Sequence, residues 1–364
     1  MNYCDKIRYN IFYTELDDFP TMVDNLLTQL AENEVILRLS FFGTPIDNKQ
    51  YVERKMILRE KIRRHYGNCE PALSYVSQPP MNAPLIMEVH SYVPDANDRI
   101  TFRHYQGVPY VVLENLDGRF LYAGGFQGDV IHFGIEAQSD ESFRMLGEVL
   151  RLEGFPMNQI IRQWNYIERI TAMEGNDQHY QALNNSRSEF YRKTEWTNGY
   201  PAATGIGANL GGVLVDVDAA VFNRPEAYAT PIDNKLQVAA HAYSEDVLEA
   251  SQQKKTTPKF ERAKSMTFDD RKIIYISGTA AIRGEESLTG VGIEKQLKIT
   301  MENIAELIGD AQLKMLRVYL KNKSDFETAE RLMKTYELNI PISYMWADVC
   351  RDELLIEIEG IAIR

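Results

Sequence analysis

The reading of the fold turns on one C-terminal stretch. It runs from RKIIYISG (271–278) through GIEKQLKITMENIAELIG (292–309), KMLRVYLKN (314–322) and FETAERLMKTYE (326–337) to ISYMWADVC (342–350) and DELLIEIEGIAIR (352–364). These segments read in turn as strand, helix, strand, helix, strand and strand, by their β-branched runs and helical periodicity. Ahead of them lie a strongly alternating strand, GVLVDVDAAVF (212–222), and a second expected strand, LQVAAHAY (236–243). The order β-β-β-α-β-α-β-β in one compact stretch means a mixed sheet with helices, an α+β module. Between the expected strands, SQQKKTTPKFERAKS (251–265) is polar and basic and reads as a loop.

Upstream, helical periodicity predicts helices in SDESFRMLGEVLRLEGF (139–155), MNQIIRQWNYIERITAM (157–173) and HYQALNNSRSEFYRKTEW (179–196). Ser139 and Asp140 serve as capping residues, and Gly154 with Pro156 ends the first helix. Ile160, Trp164, Ile167 and Ile170 fall on one side of the second. Residues 1–135 read mainly as strands and turns: EVILRLSFFG (34–43), LIMEVHSYV (85–93) and GVPYVVLENLDGRFLYAGGF (107–126). Asp117-Gly118 marks a hairpin turn within the last run. No repeat of fixed period is visible. A division into residues 1–195 and 196–364 follows.

The chain's 364 residues fit two domains, each able to bury a core. Its net charge of −12 speaks against a broad nucleic-acid surface and leaves room for a small anion in a local basic pocket. Cys4, Cys69 and Cys350 are three cysteines without CxxC spacing, which excludes a disulfide framework and a zinc ribbon. No apolar run is long enough to span a bilayer, and the N-terminus lacks signal-peptide character. A cytoplasmic protein is expected.

The glycine cluster GIGANLGG (205–212) invites a dinucleotide reading, but it precedes a strand instead of following one. Close backbone approach is the better use of it. Asp216 and Asp218 share a strand face and read as a solvated row; the six histidines stand at no ligand spacing from them, so no metal is expected. Arg162 and Arg187, placed on helices dense in aromatics, can each offer a flat fork to a carboxylate, although pairing with Glu168 or Glu189 is simpler on spacing alone. Glu357 and Glu359 share a face of an apolar strand. On pattern alone they are a solvent-facing row; partial burial would raise a carboxyl pKa into the range of a general acid. Cys350 has no histidine near it in sequence and reads as a buried thiol.

Taken together, RQWNYIERI (162–170), NNSRSEFY (184–191), PAATGIG (201–207), FERA (260–263), SGTAAIRGEES (277–287) and ADVCRDELLIEIEG (347–360), with QPP (78–80) and EGFP (153–156) upstream, resemble the chorismatases. The terminal IEIEGIAIR separately resembles the RidA/YjgF fold, whose deaminases carry an arginine where this chain has Ile342-Ser343-Tyr344. The resemblance implies an α+β, RidA/YjgF-like second module behind a smaller mixed one, and a homotrimer by analogy. It implies cleavage of chorismate to pyruvate and a hydroxybenzoate or a dihydrodiol, with no cofactor. It further makes Glu357 the catalytic acid, with Cys350 beside it. Arg162, Arg187, Tyr191, Thr204 and Gly205 become substrate contacts, Thr279 and Ala281 line the pocket, and Ala263 lies near the ring. Ala263 points to hydrolysis and Cys350 to a hydroxybenzoate. In NNSRSEFY, relatives tend to have a glycine before the arginine.

Overall fold

A computed structural model describes residues 2–175, 177–242 and 258–364. Apart from two short two-stranded ribbons, the described strands fall into three sheets built on one plan. The first holds β1 (Ile7–Thr14), β2 (Val35–Gly43), β3 (Ala72–Val76) and β4 (Leu85–Tyr92) in the order β1-β4-β2-β3, with α1 (Phe19–Leu27) and α2 (Asn48–Tyr66) connecting them. The second holds β5 (Arg99–Tyr105), β6 (Val108–Glu114), β7 (Gly118–Gln127), β8 (Ile160–Glu168), β9 (Ala202–Ala208) and β10 (Val213–Phe222), with α3 (Ile135–Glu153) and α4 (His179–Tyr191). The third holds β11 (Ala227–Ile232), β12 (Ala263–Phe268), β13 (Arg271–Ala280), β14 (Gln312–Leu320), β15 (Ile342–Trp346) and β16 (Ile356–Ile363), with α5 (Gly292–Ile308) and α6 (Phe326–Lys334).

The strand orders β5-β6-β7-β10-β8-β9 and β11-β12-β13-β16-β14-β15 are the same topology, and β1-β4-β2-β3 is that topology without its first two strands. In each module the last strand inserts antiparallel between two earlier ones, and the second helix leads to a strand parallel to its predecessor. The chain is therefore three copies of one sheet-and-helix unit, the third of which is the expected C-terminal α+β module.

Helices cover one face of each sheet. Phe19, Leu26, Leu58 and Ile62 pack on Leu39, Phe41 and Met87 in the first module. Phe143, Leu146 and Phe190 pack on Ile167, Val215 and Val217 in the second. In the third, Leu297, Met301, Ile304 and Leu307 repeat at helical spacing along α5 and pack on Ile274, Val318 and Ile358. Each such fully buried side chain contributes about 2 kcal/mol. The other faces turn toward one another, and one apolar cluster draws Tyr9 and Leu37, Tyr122 and Ile161, and Tyr275 and Met315 from the three modules in turn. Central strands are thus buried on both faces.

Several expectations change. Residues 157–173 are not a helix: a short 3-10 turn (Met157–Gln159) leads into β8, so Arg162 stands on a strand. Asn48–Tyr66, expected as strand or turn, is a helix capped by Asp47, whose carboxylate accepts from the Gln50 N–H at 2.7 Å. Ser139 and Asp140 lie inside α3, which begins at Ile135; the Ser139 hydroxyl donates to the Ile135 carbonyl at 2.7 Å. Gly154 does end that helix, in the left-handed conformation at φ 66°. Residues 236–242 form no strand, and Tyr243 lies outside the described residues, as do 251–257 of the expected loop. Ala263–Phe268, within and just after that loop, are β12. Because β9 and β10 complete the second sheet, the last module begins near Ala227 and not at residue 196.

Candidate active site

Where the second module meets the third, β8 and β9 face β13, β14 and β16. Glu357 sits on β16 opposite Ala280 of β13 and Tyr319 of β14. It is 5% exposed, so the predicted solvent-facing row is buried instead. Burial, then the neighbouring Glu359, pushes its carboxyl from 4.5 up to about 8, against the pull of Arg162 and Arg262. No hydrogen bond within the described residues contributes. The group is a neutral carboxylic acid at neutral pH.

The space around it is made by small residues. A Cβ on Gly278 would lie 2.0 Å from the Glu357 Oε1, so only glycine leaves room for the carboxyl there. A Cβ on Gly205 of β9 would lie 2.9 Å from the Tyr180 ring, which makes that glycine one of the points of close approach anticipated for the cluster. Tyr180 in turn feels Cys350, Arg187 and Glu357 electrostatically, so these four groups share one locale.

On α4, Tyr180, Asn184, Arg187 and Tyr191 fall at spacings of four, three and four, which places them on one helix face. Arg187 is 1% exposed, and its guanidinium donates to Asn184 Oδ1 while its Nε has no partner. No carboxylate among the described residues pairs with it. Burying an arginine without a counter-charge is costly, and a bound anion would supply one. Lys259 stands near it over the Tyr200 ring at 5.6 Å, and burial followed by Arg187 and Arg192 lowers its pKa. Tyr191 donates to Gln163 Oε1 at 2.6 Å and packs with Trp196 and Tyr200.

Arg162 is different. It pairs with neither Glu168 nor Glu189 but donates to Glu359, reaches the Thr204 hydroxyl at 2.6 Å, and lies 4.6 Å over the Trp164 ring. Its charge is met within the protein by Glu359, whereas no carboxylate among the described residues meets that of Arg187. Thr204 accepts from Arg162 and from the Gly278 N–H at 3.0 Å and donates to Glu359. Glu359 also receives Trp164 Nε1 at 3.0 Å, Arg317 at 2.9 Å and the Tyr319 hydroxyl at 3.1 Å.

The remaining expected residues divide. Cys350, between β15 and β16, is partly buried, and burial followed by Glu357 pushes its thiol up to about 12. It is a neutral thiol beside the acid, not a thiolate nucleophile. Ala280, directly opposite Glu357, borders the acid. Thr279 pairs with Ile358, on the alternate face, and its hydroxyl donates to the Ser277 carbonyl at 2.8 Å. Ala263 is fully buried in the apolar core under α5, also on the helix side of the sheet. Ala281 is fully buried with Trp164, Tyr166 and Tyr319 in the interior between the sheets. Among the pocket positions proposed from sequence, Ala263 and Thr279 are thus turned away from Glu357.

Asp216 and Asp218 are not a solvated row: both are buried, Asp218 receives Arg38 at 2.7 Å, and Asp216 lies 3.5 Å from the same guanidinium. Tyr180, Gly278, Glu359 and Arg262 were missed as site residues. The signals were there, since Tyr180 lies two helical turns before Arg187, Glu359 shares the Glu357 face, and Arg262 stands inside FERA. Arg262, which also donates to the Val238 carbonyl at 2.7 Å, adds positive potential at Glu357. Among the described residues no cluster of histidine, cysteine and carboxylates could hold a metal ion, and no helix is long and apolar enough to cross a membrane.

Comparison with known proteins bears on this arrangement. The family described as chorismatase FkbO/Hyg5-like, N-terminal, matches residues 112–218. A 3-hydroxybenzoate synthase from Streptomyces hygroscopicus is 27% identical over 237 residues, covering 58% of this chain and 66% of that protein. A chorismatase from Streptomyces rapamycinicus is 28% identical over 179 residues, covering 44% of this chain and 50% of that one. The matches thus span about half to two thirds of the length of these relatives. A chorismatase crystal structure superimposes over 98% of both chains with a TM-score of 0.71 at 19% identity, which establishes a shared fold. The resemblance read from the six motifs therefore holds in sequence and in fold.

Proposed function

We propose that this chain, which resembles the chorismatases in both sequence and fold, cleaves the enolpyruvyl ether of chorismate with Glu357 as the acid. One observation carries the reading: a buried, neutral carboxylic acid shares a locale with a buried arginine that has no counter-charge. Chorismate brings the two groups that such a site lacks. It is a dianion, and Arg187, with Lys259 and Arg262 nearby, offers it positive charge in an otherwise acidic protein.

The enol ether's terminal methylene carbon takes the Glu357 proton, which leaves an oxocarbenium ion at the ether carbon and a carboxylate at Glu357. A proton transfer to carbon needs an acid with an elevated pKa, correctly placed. Capture by water gives a hemiketal; its collapse breaks the bond to the ring oxygen and releases pyruvate and a dihydroxycyclohexadiene carboxylate. Capture by the neighbouring ring hydroxyl gives a cyclic ketal. Cleavage of one ring C–O bond with loss of a ring proton aromatises the ring, and the ketal carbon leaves as pyruvate carrying that oxygen. A hydroxybenzoate thus forms with no net gain or loss of water. In either route Glu357 is reprotonated at the end. By the family resemblance Cys350 points to the second route and Ala263 to the first, and the named activity of the Streptomyces hygroscopicus relative agrees with the second.

The test is incubation of the purified chain with chorismate, with pyruvate quantified enzymatically and aromatic products separated on a column. Pyruvate in step with hydroxybenzoate supports the Cys350 route; pyruvate with a dihydrodiol supports water capture. Pyruvate no higher than with Glu357→Gln overturns the proposal and leaves a small-molecule binding protein.

A further inference from the structure

The three modules meet in a closed ring, and the same strand positions face each junction. Arg38, Arg162 and Arg317 lie opposite His90, Asp218 and Glu359 on the last strand of their modules. Two residues earlier on those strands stand Glu88, Asp216 and Glu357, opposite Ser40, Trp164 and Tyr319. Each arginine crosses to the next module: Arg38 to Asp218, Arg162 to Glu359, and Arg317 to Glu88. The acid at the Glu357 position can therefore be compared at three junctions within one molecule.

At two of them it is tied down. Asp216 accepts from the Ser74 hydroxyl at 2.6 Å and the Gly125 N–H at 2.8 Å. Glu88 is clasped by Arg317 at 2.5 and 2.6 Å and touched by His90 at 2.9 Å. Burial would raise the Glu88 carboxyl, yet Arg317 and His90 hold it down to about 2. At the third, between the second and third modules, Arg162 goes to the acid two residues further on, as Arg38 goes to Asp218, and no hydrogen bond among the described residues ties Glu357 down. Glu359 takes Arg162 and, in addition, its own module's Arg317, together with Thr204, Trp164 and Tyr319.

We propose that Glu359 is a positioning residue for the acid: by holding Arg162 and Arg317 it keeps both guanidinium groups from bonding to Glu357, which has no ion pair or hydrogen-bond donor among the described residues, and so keeps the proton on the acid for transfer. The groups that face Glu357 are Glu359 on its own strand, Arg162 on β8, Arg262 ahead of β12, Tyr319 on β14, Tyr180 and Arg187 on α4, and Cys350 on the connection before β16. Of the two arginines that act on Glu357 directly, Arg162 is the one that Glu359 intercepts. Removing the Glu359 charge both abolishes a repulsion and frees that guanidinium to turn two residues along the same strand face.

This inference rests on the proposed role of Glu357, and its test separates the two. Carboxyl-labelled glutamate is incorporated, the Glu357 resonance is assigned by its loss in Glu357→Gln, and its titration is followed by 13C NMR, which needs no turnover. In Glu359→Gln the midpoint falls by about one pH unit or more, a tenfold change in the ionisation constant. Glu359→Asp, which keeps the charge, restores it toward the parent. Should Glu359→Gln not fold, Thr204→Val removes one tie between Arg162 and Glu359 at nearly constant volume and moves the midpoint the same way. An unchanged or raised midpoint in the variant that folds overturns the inference. If the parent cleaves chorismate, the alkaline limit of pyruvate release moves down with the NMR midpoint; if it does not, the titration still decides the role of Glu359.

Discussion

Replacing Glu357 by glutamine should change how the stability of the whole chain depends on pH, and the sign follows from burial. A carboxyl with a folded-state pKa near 8 and an ordinary value of 4.5 binds a proton more tightly in the folded chain than in the unfolded one. Below 4.5 both states are protonated and the group costs nothing. Between 4.5 and 8 only the unfolded chain releases the proton, so folding stability drains away as pH rises, and above 8 the loss is complete. The gap of 3.5 between the two values, at ~1.4 kcal/mol per pH unit, bounds the full effect at about 5 kcal/mol. Between pH 5 and pH 9 the two titration curves leave about 4 kcal/mol of it.

Glutamine is neutral throughout and nearly isosteric, so the difference between parent and Glu357→Gln isolates this one group from every other titration in the chain. Urea unfolding of both proteins across that pH range reads it directly. With a urea slope of ~3 kcal/mol/M or more for a chain of this length, the parent's midpoint should fall relative to the variant's by about 1 M between pH 5 and pH 9. A gap between the two midpoints that stays constant over the range would refute the reasoning. It would mean that Glu357 titrates as an exposed glutamate does, and the acid proposed for carbon protonation would be ionised at neutral pH.

Arg187→Ala removes the buried cation on α4 that lacks a counter-charge; with charge-assisted hydrogen bonds at ~1.5–3 kcal/mol each, KM for chorismate should rise roughly 10- to 100-fold in steady-state pyruvate release, while the circular dichroism spectrum stays that of the parent. Gly278→Ala puts a methyl 2.0 Å from the Glu357 Oε1, so the carboxyl must move; kcat should fall about 100-fold or more, the scale of lost general-acid catalysis. Arg38→Met leaves Asp216 and Asp218 buried without their guanidinium and should cost about 3–5 kcal/mol in urea unfolding at neutral pH, with recovery when both aspartates are also made asparagine. The chain should sediment as a monomer, because its three modules already occupy the three places of a ring; a mass of three chains would show that a further face is used.

What could be read from sequence depended on whether the informative contact was local. The C-terminal order of strands and helices was legible because α5 and α6 each have an exposed side and an apolar one, and because the strands between them are rich in β-branched residues. β8 was not. Ile160, Trp164 and Ile167 satisfy a helical period, and every residue from Ile160 to Ile167 is buried, so no alternation of polarity marks the strand. Its two faces serve different purposes: Gln163 and Ile167 meet the helix layer, while Trp164 and Tyr166 meet the other sheets. Helix α2 was missed for the opposite reason, since it buries only Tyr51, Leu58 and Ile62 among 19 residues and its pattern is dominated by charge.

The site divides along the same line. Tyr180, Arg187 and Tyr191 lie on one helix face and were within reach of spacing arguments. The charged ring was not, because its bonds join residues 180, 197 and 229 positions apart. A carboxylate on an apolar strand gives no local sign of whether an arginine from another module will reach it. This is why Asp216 and Asp218 read as solvent-facing, and why spacing paired Arg162 with Glu168 or Glu189 and not with Glu359. It also explains how three copies of one unit escape detection as a sequence repeat. The threefold plan is kept by strand order and by the arginines at matching positions, while the residues opposite them, His90, Asp218 and Glu359, have diverged in identity and in partners. All three arginines close the ring, Arg162 reaching Glu359 as Arg38 reaches Asp218. Of the three acids two residues earlier, Asp216 and Glu88 are tied by hydrogen bonds while Glu357 has none among the described residues, and it is this difference, not any one motif, that marks the proposed site.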